Sequence, residues 1–273
     1  MVARRARLAA LRGFRVRCAR MIHPTAIIED GATLGAGCIV HAYACIKRHC
    51  VLGEGVVVHS FAVLGGDPQD LGFDPTRTSG VRIGDRTVIR EHVTVNRATK
   101  DGGATEIGSD CFLMASSHVA HDGRLGERVI LANSVLLAGH VQVGDRAFLG
   151  GGAAVHQFTR IGEGTMLSGL ARITRDVAPF LMAAERDEVI GLNLVGLRRR
   201  GTAAPALAEL KGAYGEVFAP TGNLRELAAA ALASGRYQGE EALRFLRFFE
   251  GGKRGFIRPQ RRHGAAAGDA AGA

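Results

Sequence analysis

IGSDCFLMASSHVAHDGRLGERVILANSVLLAGHVQVGDRAFLGGGAAVHQFTRIGEGTMLSGLARI, residues 107–173, decides the fold, because every sixth residue in it is branched and aliphatic. These residues are Ile107, Leu113, Val119, Leu125, Leu131, Leu137, Val143, Leu149, Val155, Ile161, Leu167 and Ile173. Four positions after each comes a mostly small residue, as in Cys111, Ser117, Gly123, Ala147, Ala153 and Thr159. A helix repeats its apolar face every ~3.6 residues and a half-buried strand every ~2, so period six belongs to neither. It is an internal repeat, and repeats of one short supersecondary unit stack into a solenoid.

A six-residue unit fits a short strand plus a corner, so three units close one triangular coil. Eighteen residues then return the chain to the same face one rung higher, ~4.8 Å away, with aliphatic side chains laddered inside. The pattern resembles the hexapeptide repeat of the left-handed parallel β-helix. The hand is implied by that resemblance, since parallel crossovers are ordinarily right-handed. The expected fold is therefore all-β, a left-handed parallel β-helix, followed by a small α-helical domain.

Outward from the core stretch, the same register runs back through Ile22, Ile28, Leu34, Val40, Ile46, Leu52, Val58 and Leu64. It breaks at GGDPQDLGFDPTRTSG, resumes at Ile83, Ile89 and Val95, and breaks again at NRATKDGGATE. This predicts a β-helix over 21–178 with loops near 65–81 and 96–106; insertions in a solenoid leave as loops and often wall a binding site. After Asp176-Val177-Ala178-Pro179 the composition turns to Ala, Leu, Glu and Arg at helical spacing. Residues 179–256 are expected to form a helical domain, with Pro205 opening one helix and Gly235 ending another. Residues 1–20 read as a basic, disordered extension and 257–273 as a disordered tail.

The 273 residues, 47% of them hydrophobic, can bury a sizeable core. The 38 glycines and 5% aromatics suit a thin solenoid, whose tight corners are expected to need glycine. A net charge of +9 calls for acidic partners, but seven arginines fall within residues 1–20 and five basic residues within 251–263. No aromatic-rich basic face accompanies them, so nucleic-acid binding is not expected. Cys18, Cys38, Cys45, Cys50 and Cys111 lack paired metal-ligand spacing, and Cys38, Cys50 and Cys111 take the small slot of the repeat. A reducing cytoplasm follows, and no apolar run approaches the ~20 residues of a membrane span.

The chemistry is expected on the repeat. His121, Gly139 and Gln157 lie 18 residues apart in one column, with His140 and His156 one residue off it and His118 nearby. Two chemistries compete for this strip. Zinc, as in carbonic anhydrases on the same solenoid, needs three converging imidazoles, and the three-residue spacing of His118 and His121 disfavours it. General-base catalysis needs one uncharged imidazole with a partner to orient it, and His121-Asp122 supplies both. No Ser or Cys stands where an acyl-enzyme would form, so direct attack of a hydroxyl on an activated acyl group is the economical route.

MASSHVAHDGRLGERVILANSVLLAGHVQVGDRAFLGGGAAVHQFTRIG, together with GLNLVGLRRRG and the RGFIRP near the end, resembles the acyl-carrier-protein-dependent UDP-N-acetylglucosamine O-acyltransferases, which begin lipid A synthesis. The resemblance spans about residues 21–258. It implies transfer of a 3-hydroxyacyl group from acyl carrier protein to the sugar's 3-position, without metal or cofactor, in a cytoplasmic homotrimer with sites between neighbouring chains. It also implies roles. His121 would be the base, Asp122 its orienting partner and the Gly139 N–H the oxyanion donor. Gln69, Asp70, His118, His140, His156, Gln157, Asn193, Arg199 and Arg200 would hold substrate, and Gly169 would set acyl length.

The sequence also departs from the family. Gly72-Phe73-Asp74-Pro75-Thr76 stands where a phosphate-facing Lys and a Gly-Glu pair are usual, Val195 where an acidic residue is common, and AAERDEVIGLN where the family is rich in Gly and Asn. Two alternatives follow, a paralogue acylating a different UDP-amino sugar and a catalytically silent β-helix that only binds.

Overall fold

The computed structural model describes residues 21–260; the basic extension 1–20 and residues 261–273 lie outside the described residues. The chain winds as a left-handed parallel β-helix with three flat faces, made of sheets of ten, eight and seven strands among the described residues. One face carries Phe112–Leu113, Ile130–Leu131, Phe148–Leu149 and Met166–Leu167 in parallel register. The second carries His118–Val119, Leu136–Leu137, Ala154–Val155 and Arg172–Ile173. The third carries Arg124–Leu125, Gln142–Val143 and Arg160–Ile161. Each two-residue strand turns its second side chain inward, so all twelve aliphatic positions are buried, the most open being Leu125 at 4%.

The rungs are joined by backbone hydrogen bonds, such as Ile130 N to Ala147 O at 2.9 Å and Ala132 N to Leu149 O at 2.9 Å. Only an 18-residue step keeps both these bonds and the aliphatic ladder in phase. Longer steps mark the insertions. Val57 pairs with Val88, 31 residues on, and Val88 with Phe112, 24 on, so the coils carry 13 and 6 extra residues. The inserted stretches are shorter than the sequence suggests, because strands Val63–Gly66, Gly80–Ile83 and Ala104–Ile107 reach into them. Main-chain pairing there continues past the point where the side-chain pattern lapses.

The expectation of glycine at the corners holds at Gly31, Gly37, Gly55, Gly152 and Gly164, which have positive φ, but not at most of the others. The left-handed corner residues Asp110, Ser116, Asp122, Arg128, Ser134, His140 and Arg146 have φ of 56–61°, and none is glycine. Rung hydrogen bonds on both sides hold these residues in a conformation they would not choose alone. Glycine is needed more strictly where coils nearly touch. A Cβ on Gly108 would stand 2.4 Å from the Gly126 carbonyl oxygen, and one on Gly144 2.6 Å from the Glu163 nitrogen.

The boundary expected at residue 178 also moves. Leu181–Ala184 adds to the first face beside Met166–Leu167, and Glu188–Leu192 folds back antiparallel to it. Four α-helices follow among the described residues: α1 (Leu194–Arg199), α2 (Ala204–Phe218), α3 (Leu224–Ala233) and α4 (Glu240–Arg247). Pro205 sits in the first turn of α2, and the Asn223 side chain caps α3 by accepting from Arg225 N at 3.0 Å. Leu210, Val217, Phe245 and Phe249 form the bundle core. The expected disordered tail is likewise corrected at its start. Ile257 is 1% exposed and its N–H donates to Asp176 O at 3.0 Å, while Val189 N donates to Arg258 O at 3.1 Å. Burial of one isoleucine and pairing on both sides keep this segment on the prism.

Gly144→Ala is expected to cost about 1–3 kcal/mol, because its methyl meets backbone that cannot retreat without breaking the rung. Urea denaturation against wild type checks this; an unchanged midpoint would show that coil contact does not select glycine there.

Candidate active site

A cleft of about 610 Å³ runs across the second face and its edge toward the third, lined by His118, His121, Gly139, His156, Gln157 and Gln69 among others. Six of the residues proposed from sequence therefore meet in one place. The stacking is direct: a Cβ on Gly139 would lie 2.6 Å from His121 Nε2, so the imidazole rests over the glycine and only a hydrogen fits beneath it. The Gly139 N–H has no hydrogen-bond partner among the described residues. His118 is held by Thr94, with Oγ1 and Nδ1 2.7 Å apart, and burial lowers its pKa below the ordinary imidazole value.

His121 is oriented by Asp122. Its Nδ1 lies 2.8 Å from Asp122 Oδ2, which leaves Nε2 turned toward the cleft. Asp122 occupies a left-handed corner with φ of 57°, and that turn swings its carboxylate back under the preceding ring. The second insertion secures it: Thr99 Oγ1 donates to Oδ2 at 2.8 Å, and Thr99 N lies 3.2 Å from the same atom. Thr105 Oγ1 accepts the Asp122 N–H at 2.9 Å. Burial alone would raise the Asp122 carboxyl, but hydrogen bonds from His121 and Thr99 outweigh it and hold the group below the usual carboxylate range. Thr99 was missed by the sequence reading. Its only signal was membership of an insertion, and its reach to Asp122 depends on where that loop lands.

Gln69 enters the cleft on the first insertion, which Arg97 clamps. The Arg97 guanidinium donates to Asp67 Oδ1 at 2.8 Å, to Arg77 O at 2.6 Å and to Pro75 O at 2.9 Å, and lies 4.8 Å over the Phe73 ring. Phe73, one of the departures noted in sequence, thus serves as a packing partner for the latch.

Other residues fall elsewhere. Asp70 is exposed, and its carboxylate accepts the Gly72 N–H at 2.9 Å within its own loop. His140 sits at a left-handed corner with φ of 61°, outside the cleft lining, and its ring meets that of His121 edge to face with centres 5.1 Å apart. There Nε2 is 3.7 Å from Asp122 Oδ2, in a recess that Lys100 and Arg124 also line. Burial lowers the His140 pKa, and the Asp122 carboxylate partly offsets this. Gly169 lies at the corner between the first and second faces, outside the cleft lining. Asn193 caps α1, accepting from Gly196 N at 3.0 Å, and its amide donates to Gly164 O at 3.0 Å. Arg200 pairs with Glu163 at 3.5 Å over the edge between the third and first faces, and Arg199 points to solvent. Within one chain the connector residues are therefore on a different edge of the prism from His121.

One ligand atom from each of His121, Asp122 and His140 falls within 4.8 Å of the others, so among the described residues these three side chains could share a metal, although Lys100 opposes a cation there. No cysteine among the described residues lines the cleft. Burial pushes the Cys50 thiol to about 12 and the Cys111 thiol to about 11, so neither is a nucleophile at neutral pH.

A family model described as UDP N-acetylglucosamine O-acyltransferase, domain 2, matches residues 176–257. An acyl-[acyl-carrier-protein]–UDP-N-acetylglucosamine O-acyltransferase of Agrobacterium fabrum is 38% identical over 251 residues, covering 85% of this chain and 92% of the relative. Its counterpart in Sinorhizobium fredii is 41% identical over 229 residues, 77% and 84% of the two chains. Among solved structures, the UDP-N-acetylglucosamine acyltransferase of Campylobacter jejuni superposes with a TM-score of 0.77 at 36% identity, covering 88% of this chain and all 100% of its own. That of Bacteroides fragilis gives 0.79 at 31% identity, covering 87% and 100%.

Because the Asp122 pKa is depressed in the folded protein, its bonds stabilise the fold above the ordinary carboxyl value of about 4, and that contribution is lost as pH falls through the folded value. Thr99→Val should therefore cost about 1.5 kcal/mol at pH 7 and progressively less toward pH 3. Urea midpoints across that range test it, and a gap that widens in acid would contradict the assignment.

Proposed function

Since the chain belongs to the family of acyl-carrier-protein-dependent UDP-N-acetylglucosamine O-acyltransferases, we propose that its cleft moves a 3-hydroxyacyl group from acyl carrier protein to the sugar's 3-hydroxyl, opening lipid A synthesis, with His121 as general base. The observation that carries the reading is the 2.8 Å contact of His121 Nδ1 with Asp122 while Nε2 stands over Gly139.

The chemistry follows from that placement. Asp122 accepts the Nδ1 proton, so the lone pair is on Nε2, facing the cleft. Nε2 takes the proton of the sugar hydroxyl as its oxygen attacks the thioester carbon, and the carbonyl electrons move onto oxygen. The unpartnered Gly139 N–H is available to that oxyanion, because the missing Cβ lets the carbonyl approach. Collapse re-forms the carbonyl as an ester and breaks the carbon–sulfur bond. The departing sulfur receives the proton that His121 holds. One proton moves from hydroxyl to thiol, and no covalent enzyme intermediate is required.

His118, His156, Gln157 and Gln69 line the same cleft and supply polar contacts to substrate. Asn193, Arg199, Arg200 and Gly169 enter this reading through assembly. If they contact the substrate held at His121, a neighbouring chain must bring them, since within one chain they lie beyond the cleft lining. A homotrimer with closed symmetry supplies this economically. No helix among the described residues is long and apolar enough to cross a membrane. We place the enzyme in the cytoplasm, and we assign its positive charge to phosphate-bearing substrates and an acidic carrier rather than to nucleic acid. The acceptor activity named for its relatives disfavours a paralogue specific for another amino sugar, and the formed dyad disfavours a silent binder.

His121→Ala is expected to cut turnover about 10²–10⁴-fold, leaving thermal stability and assembly nearly unchanged, as measured by product mass spectrometry on UDP-N-acetylglucosamine and acyl carrier protein thioesters. Retention of a tenth of wild-type turnover would reassign the base. Light scattering should give three times the 28.8 kDa chain mass; a stable monomer would remove the shared-site reading.

A further inference from the structure

The segment 251–258 leaves the helical bundle and returns to the prism, where it reaches the cleft. Asp176 N donates to Gly255 O at 2.9 Å, and the buried Asp176 carboxylate is held by Arg160 at 2.8 Å. This strap carries Arg254, whose Nη2 lies 2.8 Å from Nδ1 of His156. The Arg254 Nε is buried without a partner, so the histidine contact is what anchors the guanidinium.

His156 Nδ1 has a second neighbour, the Gln157 carbonyl oxygen at 3.2 Å. The two neighbours demand opposite tautomers. A carbonyl needs Nδ1 to carry a hydrogen, whereas a guanidinium has only donors and needs Nδ1 to offer its lone pair. With Arg254 at the shorter, charge-assisted distance, the lone pair is on Nδ1 and the hydrogen on Nε2. Without Arg254, Gln157 O draws the hydrogen to Nδ1, and Nε2 becomes an acceptor.

We propose that Arg254 is a positioning residue that locks His156 as an Nε2–H donor toward an acceptor oxygen of the bound substrate. The C-terminal strap is then part of the acyl-transfer site. The substrate half of this inference rests on reading the cleft as that site; the tautomer half does not. It also accounts for the RGFIRP motif, whose Phe256 and Ile257 bury the strap while Arg254 reaches forward.

The test is ¹⁵N NMR of the imidazoles in full-length protein, with His156→Gln assigning the signal. Wild type should show a lone-pair Nδ1 and a protonated Nε2. Arg254→Met should move the proton to Nδ1 and raise KM for one substrate about tenfold, the size of one lost hydrogen bond, with kcat changed less than about threefold. Arg254→Lys, which keeps a donor, should restore much of both. A protonated Nδ1 in wild type overturns the proposal without any variant, and so does an Nε2–H tautomer that survives Arg254→Met. A tautomer that switches with no change in KM overturns the substrate role. If the tautomer behaves as described but wild type does not turn over UDP-N-acetylglucosamine, the functional reading fails while the lock stands.

Discussion

Everything in this molecule depends on the rung hydrogen bond between coils one turn apart. It fixes the stacking distance, and at that distance a residue is in contact with those 18 places before and after it. The consequences are visible in Gly108 and Gly144, where no Cβ fits between coils, and in corner residues such as Arg128 and Arg146, which adopt left-handed backbone without being glycine. A local preference worth about 1–2 kcal/mol per residue yields to pairing on both sides.

The same constraint builds the geometry of the cleft. His121 and Gly139 are far apart in sequence terms, yet the coil step puts one ring over the other backbone. The left-handed corner then determines which way each neighbour points. Asp122 turns back beneath His121, while His140, at the equivalent corner one coil on, stands edge-on to His121 at 5.1 Å and stacks on Phe158 with ring centres 4.5 Å apart. One repeated conformation thus gives a dyad on one coil and a side recess on the next.

The cleft's walls come from what interrupts the repeat. The first insertion is held by Arg97 and delivers Gln69; the second delivers Thr99 to Asp122. The strap after the helical bundle delivers Arg254 to His156. A solenoid alone offers a flat polar strip, and the three irregular segments turn it into a cleft whose side chains have set orientations.

The sequence by itself determined the solenoid, because period six leaves only one way to bury a continuous aliphatic ladder. It also placed His121 and Asp122 together, since they are adjacent, and the 18-residue column gives their relation to Gly139 and Gln157. Only the tertiary structure decided the rest. Backbone pairing carries no side-chain signature, so the sheet runs on to Leu192, and the start of the tail is ordered through Ile257. Backbone dihedrals, which sequence spacing does not encode, set His140 edge-on to His121 and in the neighbouring recess instead of the cleft lining. Thr99 and Arg254 act across 23 and 98 residues, through loops and straps whose paths no periodicity describes. Asn193 and Arg200 took places on another edge of the prism, because the path of the connector after the last coil is set by its packing on Gly164 and Glu163 and not by the repeat.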